Sequence, residues 1–201
     1  MTQPGPRLRV LTVCTHNRTR SVMMAAMLER MLTAELGAGA ALVRSAGFGP
    51  VGLPAIPDAV AAMERRGLDV SDHRSSETTA RLVDGADVIL AAERDHVVKI
   101  AALSPSAFPH TMTLPEFLDR AANAEGTGEL AGRTVRERLA MLTANRAAGE
   151  YLRSTVPQID DPTGRSPRVF EAAVVALEQQ CSEAARWLTA RMRRPAGDSG
   201  S

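Results

Sequence analysis

The chain has 201 residues, 24 Lys and Arg against 23 Asp and Glu for a net charge of +1, and a hydrophobic share of 44%. That length and apolar content suit one domain with a buried core. The near-neutral balance and the 3% aromatic content argue against a nucleic-acid or polyanion binder and against a base-stacking platform. Two cysteines, Cys14 and Cys181, make neither a disulfide framework nor a zinc-type spacing with His16, His73, His96 and His110, so no metal and no cofactor is expected. Residues 1–7 lack the apolar core of a secretion signal, and no run approaches the roughly 18 apolar residues of a membrane span. The expected setting is a reducing cytoplasm without membrane attachment, where a lone thiol stays available for chemistry.

Residues 1–7 and 194–201 are rich in Pro, Gly and Ser and read as disordered tails flanking a domain over 8–193. The run LRVLTV at 8–13 is a buried strand by its β-branched, apolar content. From Ser21 the good helix formers VMMAAMLERMLTAEL predict a helix, with Gly37 just past its end. Residues 41–46 read as a second strand, followed by a Gly/Pro-rich loop to Pro54. Residues 57–66 form a helix with Pro57 at its start and Gly67 as its stop. A third strand is expected over 87–91, a helix over 93–103, a short fourth strand over 110–113 and a helix over 114–122. The stretch 120–155 is an insertion in this alternation: 123–133 is Gly-rich and polar, and 134–148 patterns as an extra helix. Finally Phe170, Val174, Leu177, Cys181, Ala184, Leu188 and Met192 recur at steps of three or four, one stripe of a long helix. Strands alternating with helices predict an α/β domain whose parallel sheet is covered on both faces.

The first strand–loop–helix junction carries the chemistry. Cys14-Thr-His-Asn-Arg-Thr-Arg20-Ser21 lies between an apolar strand and an apolar helix. A loop curling onto a helix N-terminus points several backbone N–H groups at one spot that favours anions. N–H groups and an arginine together favour the thiolate of a cysteine in such a loop. Arg20 can fork two N–H bonds onto phosphate oxygens, and a thiolate facing a bound phosphoryl group is set up for covalent catalysis. Ser21 can cap the helix, donate to the Cys14 sulfur, or both. Phosphate-binding residues are thus Thr15, His16, Asn17, Arg18, Thr19, Arg20 and Ser21, with Cys14 as nucleophile.

With these residues quoted, the sequence resembles the low-molecular-weight protein tyrosine phosphatases, a family that also includes thiol-linked arsenate reductases. Cys14, Asn17, Arg20 and Ser21 fall on the family loop, which usually reads Cys-x-Gly-Asn-x-Cys-Arg-Ser-Pro. Ser45-Ala46-Gly47, Asp72-His73-Arg74-Ser75, Ala86 to Leu90 with Glu93-Arg94-Asp95-His96, and Thr113-Leu114-Pro115-Glu116-Phe117 follow in family order. Asp160-Asp161-Pro162-Thr163-Gly164 is similar to the loop carrying the general acid. The resemblance covers about residues 8–120 and 156–192. It implies a single doubly wound domain with a four-stranded parallel sheet in the flavodoxin-like order 2-1-3-4. It also implies a cysteinyl-phosphate intermediate on Cys14, with Asp161 as acid and then base; Asp160 is the competing carboxylate. Asn17, Ser21, Ser45 and His73 match positions that brace the loop. Expected partners are a phosphorylated protein or a small phosphate ester, on a monomer or weak dimer.

Four departures bear on this expectation. Thr19 stands where the family loop has its second cysteine, His16 replaces Gly, and Arg18 replaces an apolar or small residue at the site mouth. Thr163-Gly164 replaces the aromatic residues that many members carry after the proline. Phosphotyrosine in protein is the default substrate. The alternatives are arsenate reduction with an external low-molecular-weight thiol and a phosphate-binding regulatory module that has lost catalysis. Residues 120–155 could form a substrate rim or a surface elaboration.

Overall fold

Residues 8–14 are largely buried and alternate between two apolar layers, which makes them the central strand of a four-stranded parallel sheet. In the computed structural model, which describes residues 7–125 and 134–190, the strands are β1 (Leu8–Cys14), β2 (Ala41–Gly47), β3 (Val88–Ala91) and β4 (Thr111–Thr113). They stand in the order β2-β1-β3-β4, the expected 2-1-3-4. The order in which strands are added across the sheet reverses between β1 and β3, and in open α/β sheets ligands settle in the crevice at the carboxyl ends beside such a reversal. Cys14 closes β1, and Ala91 pairs with Val13 immediately before it.

Leu8, Val10, Leu90 and Met112 face one layer, built from α1 (Arg20–Leu36), α2 (Pro57–Glu64), α5 (Leu114–Glu125), α6 (Val135–Leu142) and α8 (Pro167–Thr189). Leu11, Val13 and Ile89 face the other, covered by α3 (Ala80–Asp84), α4 (Arg94–Leu103) and the 3-10 turn Pro105–His110. The α8 stripe Phe170, Val174, Leu177, Cys181, Ala184 and Leu188 is buried as patterned; Met192 and the tails 1–6 and 194–201 lie outside the described residues. Truncating one such side chain, Leu177→Ala, costs about 2–5 kcal/mol in a close-packed core.

Several boundaries differ from the sequence pattern. Arg20, not Ser21, opens α1, and Asp87 precedes β3. Glu93 is the N-cap of α4 rather than its first residue: its side chain accepts from the main chain of His96, while His96 accepts from the Glu93 N–H. His110 ends the 3-10 turn, leaving β4 three residues long. The helix expected over 134–148 is two pieces. Thr134 and Glu137 form a reciprocal capping box that starts α6. Thr143 then turns its hydroxyl back onto the Leu139 and Pro109 carbonyls, and a separate turn, α7 (Ala148–Tyr151), follows.

The described part of the insertion is structural. Leu139 and Leu142 join the main core, and Arg138 stacks over the Trp187 ring at 3.9 Å. The Glu116 carboxylate takes hydrogen bonds from Tyr151 (2.9 Å) and Arg120 (2.9 Å) and lies 3.4 Å from Arg146. Among the described residues no helix is long and apolar enough to cross a membrane.

Candidate active site

Cys14 lies at the buried end of β1, and residues 15–19 carry the chain onto the start of α1. Thr19, the residue before α1, places no side chain over the helix end, so the first N–H groups of α1 have no capping acceptor of their own. Asn17 sets the shape of the loop. It is fully buried with a φ of 51°, the left-handed region, which costs free energy unless the surroundings hold it. They do so at three points. The Ser76 N–H donates to Asn17 Oδ1 at 2.8 Å, His73 Nε2 donates to the Asn17 carbonyl at 2.7 Å, and Asn17 Nδ2 donates to Ser21 Oγ at 3.0 Å. Ser21 Oγ in turn sits 3.0 Å from Cys14 Sγ. Asn17 Nδ2 can only donate, so the serine hydroxyl keeps its proton for the sulfur, and it must be the donor whenever that sulfur is a thiolate.

Further braces come from residues to which the sequence reading assigned no role. Thr12 Oγ1 donates to the Ser21 carbonyl at 2.7 Å. Gly47, paired with Cys14 across the sheet, lets the loop pass so closely that a Cβ there would lie 2.8 Å from Asn17 N and Thr15 O. His96 reaches Thr15 Oγ1 at 3.0 Å through Nε2. Its Nδ1 accepts the Glu93 N–H, so the proton is on Nε2 and the ring donates to Thr15. Burial is the main reason the His96 ring titrates low, at about 4; the Arg20 and Lys99 charges add to this, against Glu93 and Asp95. The ring is therefore neutral near pH 7. Ser45, expected to brace the loop, makes no side-chain hydrogen bond among the described residues. It lines an open groove beside His73, Asp69 and Asp72. The bracing hydroxyl is Thr12, directly opposite Ser45 on the neighbouring strand.

Arg20 is buried to 3% exposure and holds the site's two carboxylates. Nη1 donates to Glu93 Oε1 at 2.5 Å and to the Ile159 carbonyl at 2.9 Å, and Nη2 donates to Asp161 Oδ2 at 2.9 Å. Its Nε is buried without a partner, a donor left over for an oxyanion. Asp161 arrives on a strap tied to the sheet ends. Thr113 donates to the Pro157 carbonyl at 2.7 Å, the Ile159 N–H donates to Ala92 at 2.9 Å, and Arg94 donates to the Leu152 and Ser154 carbonyls. Burial pushes the Asp161 carboxyl up, but hydrogen bonds from Thr163 and the charges of Arg20 and His16 together hold it below the usual carboxylate range. Asp160, the competing carboxylate, is exposed like Asp161 but, unlike it, does not line the cavity.

Cys14, His16, Arg18, Thr19, Arg20, Ile56, Asp161 and Thr163 enclose a cavity of about 250 Å³. No described residue of the insertion lines this cavity. A larger cavity, about 430 Å³, lies near the start of β1 between Arg9, Arg44, Arg81 and aliphatic side chains; it holds neither cysteine nor carboxylate. Among the described residues no three His, Cys, Asp or Glu side chains gather as a metal site.

Residues 9–129, more than half of the chain, match the family model described as low molecular weight phosphotyrosine protein phosphatase. The chain belongs to this family. Its similarity to the Ralstonia solanacearum protein named "Probable low molecular weight protein-tyrosine-phosphatase EpsP" is 39% identity over 98 residues, 48% of this chain and 63% of that protein. The match therefore spans less than two thirds of that relative's length. A Geobacillus stearothermophilus protein-arginine-phosphatase is 34% identical over 111 residues, covering 55% of this chain and 71% of the relative. Among solved folds of the low-molecular-weight phosphatase type, the YwlE arginine phosphatase of Geobacillus stearothermophilus superposes with a TM-score of 0.67 at 28% identity. That superposition covers 92% of this chain and 95% of that one. Membership of the low-molecular-weight phosphatase family thus agrees with the sheet order, and relatives within it are named for different phosphorylated residues.

Proposed function

We propose that this protein is a cysteine-dependent phosphatase that hydrolyses phosphate monoesters, with phosphotyrosine in protein as its reference substrate. The observation that carries the reading is the convergence of Cys14, Arg20 and Asp161 on one cavity, with the Ser21 hydroxyl 3.0 Å from the sulfur.

The Cys14 thiolate attacks phosphorus and the ester P–O bond breaks, while Asp161 gives its proton to the departing oxygen. The loop N–H groups and Arg20 receive the equatorial oxygens as charge spreads over them. Water then attacks the cysteinyl phosphate, Asp161 takes the water's proton, and the P–S bond breaks to release inorganic phosphate and the thiolate. Ser21 stabilises the leaving sulfur by the same hydrogen bond. Arsenate reduction relayed through the chain's own thiols finds little support: Cys181 is fully buried in α8, and burial pushes its thiol well above the ordinary range.

Cys14→Ser is expected to abolish phosphate release from phenyl phosphate while retaining phosphate binding, measured by a phosphate assay and by calorimetry. Release that survives this substitution excludes the mechanism.

A further inference from the structure

The mouth of the cavity carries a cation that the chemistry of phosphoryl transfer does not use. Arg18 is half-buried and lines the cavity together with Ile56 and His16. Its side chain is fixed: Nε donates to the Pro54 carbonyl at 2.7 Å. Its main chain is fixed as well, because the Arg18 carbonyl accepts the Ile56 N–H at 3.0 Å. Arg20 is offset by Glu93 and Asp161, but no carboxylate pairs with Arg18 among the described residues. Its Nη1 and Nη2 groups therefore present donors with no protein acceptor, on a guanidinium already held in place. No aromatic residue lines this cavity, and Thr163, hydrogen-bonded to Thr19 at 3.2 Å, occupies part of its wall.

We propose that Arg18 forms a second anion subsite at this mouth, so that the preferred substrate is a phosphate monoester bearing a carboxylate beside the esterified group. This rests on the phosphatase reading and names its substrate class. The phosphate dianion occupies the loop and Arg20. The carboxylate meets the Arg18 Nη groups in a forked geometry that a guanidinium supplies and an ammonium does not. Ile56 covers the carbon frame between the two anions. Phosphotyrosine with an acidic neighbour fits this description; an unadorned aryl ester uses only half of the site. Pre-fixing of the guanidinium by Pro54 lowers the ordering cost of the second contact.

The test uses phenyl phosphate and its 3-carboxy and 4-carboxy derivatives, which place the second anion at two distances. Affinities are measured by calorimetry on Cys14→Ser protein, which holds esters without turnover, with Arg18, Arg18→Gln and Arg18→Lys. At least one carboxylated ester is expected to bind roughly 3–10-fold more tightly than phenyl phosphate, the range of a single partly exposed ion pair. The ratio falls to about one in Arg18→Gln, is partly kept in Arg18→Lys, and shrinks in high salt. A ratio near one with Arg18 present, or a ratio that persists in Arg18→Gln, overturns the subsite. Phosphate release from phenyl phosphate by the unsubstituted chain is followed separately. Its absence overturns the phosphatase reading, whereas a flat affinity ratio with release intact removes only the subsite.

Discussion

In the proposed mechanism Asp161, which hydrogen bonds from Thr163 and the charges of Arg20 and His16 hold below the usual carboxylate range, must take up a proton before it acts as an acid. Its resting partner is Arg20. When an ester dianion takes that arginine, Asp161 loses its cation and gains a doubly negative neighbour, and both changes favour the protonated carboxyl. Asp161→Asn is therefore expected to lower kcat/KM, which reports the step that cleaves the ester, roughly 10²–10⁴-fold on phenyl phosphate, and much less on p-nitrophenyl phosphate, whose phenolate leaves without a proton. Steady-state comparison of the two esters checks this. At this scale Cys14, Arg20 and Ser21 were legible in the sequence because they sit in one short local pattern, whereas Asp161 was singled out only through the family resemblance. The roles of Glu93, His96, Ser76 and Thr12 were not legible, although Glu93 and His96 fall in a segment that matches the family order. Their contacts with the loop cross 73, 81, 59 and 9 residues of chain, and only the packed sheet brings them together.

At the scale of elements, the loop is shaped by its neighbour in the sheet as much as by its own residues. Gly47 stands in an ordinary strand, and its lack of a side chain matters only because the loop backbone crosses it. Gly47→Ala puts a methyl group against main-chain atoms that have nowhere to go. Overpacking of this kind costs about 1–3 kcal/mol, and here it is expected to weaken phosphate binding along with stability, as thermal unfolding with and without phosphate reveals. Sequence periodicity located all four strands and the long helices, because each carries an apolar face. It passed over α3, which is five residues long, and it joined α6 to α7, because the hydroxyl of Thr143 competes with the helix in a way that hydrophobic spacing does not register.

For the whole molecule, buried imidazoles couple stability to acidity. His96 titrates at about 4 and His110 below its ordinary value, burial being the first cause in each. An unfolded histidine takes a proton near pH 6.5, and the folded ring refuses it until lower pH. Stability is therefore full above about pH 6.5 and falls as the pH drops towards 4, by on the order of 3 kcal/mol for His96. Urea midpoints at pH 7.5 and 4.5 measure the loss, which is expected to be smaller in His96→Gln. The insertion belongs to the same fabric. Tyr151→Phe removes the donor to buried Glu116 and is expected to destabilise the whole fold by about 1–3 kcal/mol, seen as one shifted transition rather than local loosening. Sequence composition marked 120–155 as foreign to the alternating pattern. The network of Glu116, Arg120, Arg146 and Tyr151 that anchors it was not visible there, because only Arg120 shares α5 with the acceptor, while Arg146 and Tyr151 reach it from later segments.

The two carboxylates on Arg20 also decide what the cavity ignores. A guanidinium neutralised from within exerts little pull on the chloride and other monovalent ions of the surrounding solution. In the proposed mechanism the phosphate dianion, with two charges and several oxygens, draws Nη2 away from Asp161 and occupies the idle Nε. Exchange, rather than simple attraction, becomes the first act of recognition. In that mechanism the displacement that admits the ester also favours the proton on Asp161, so filling the site is what arms it.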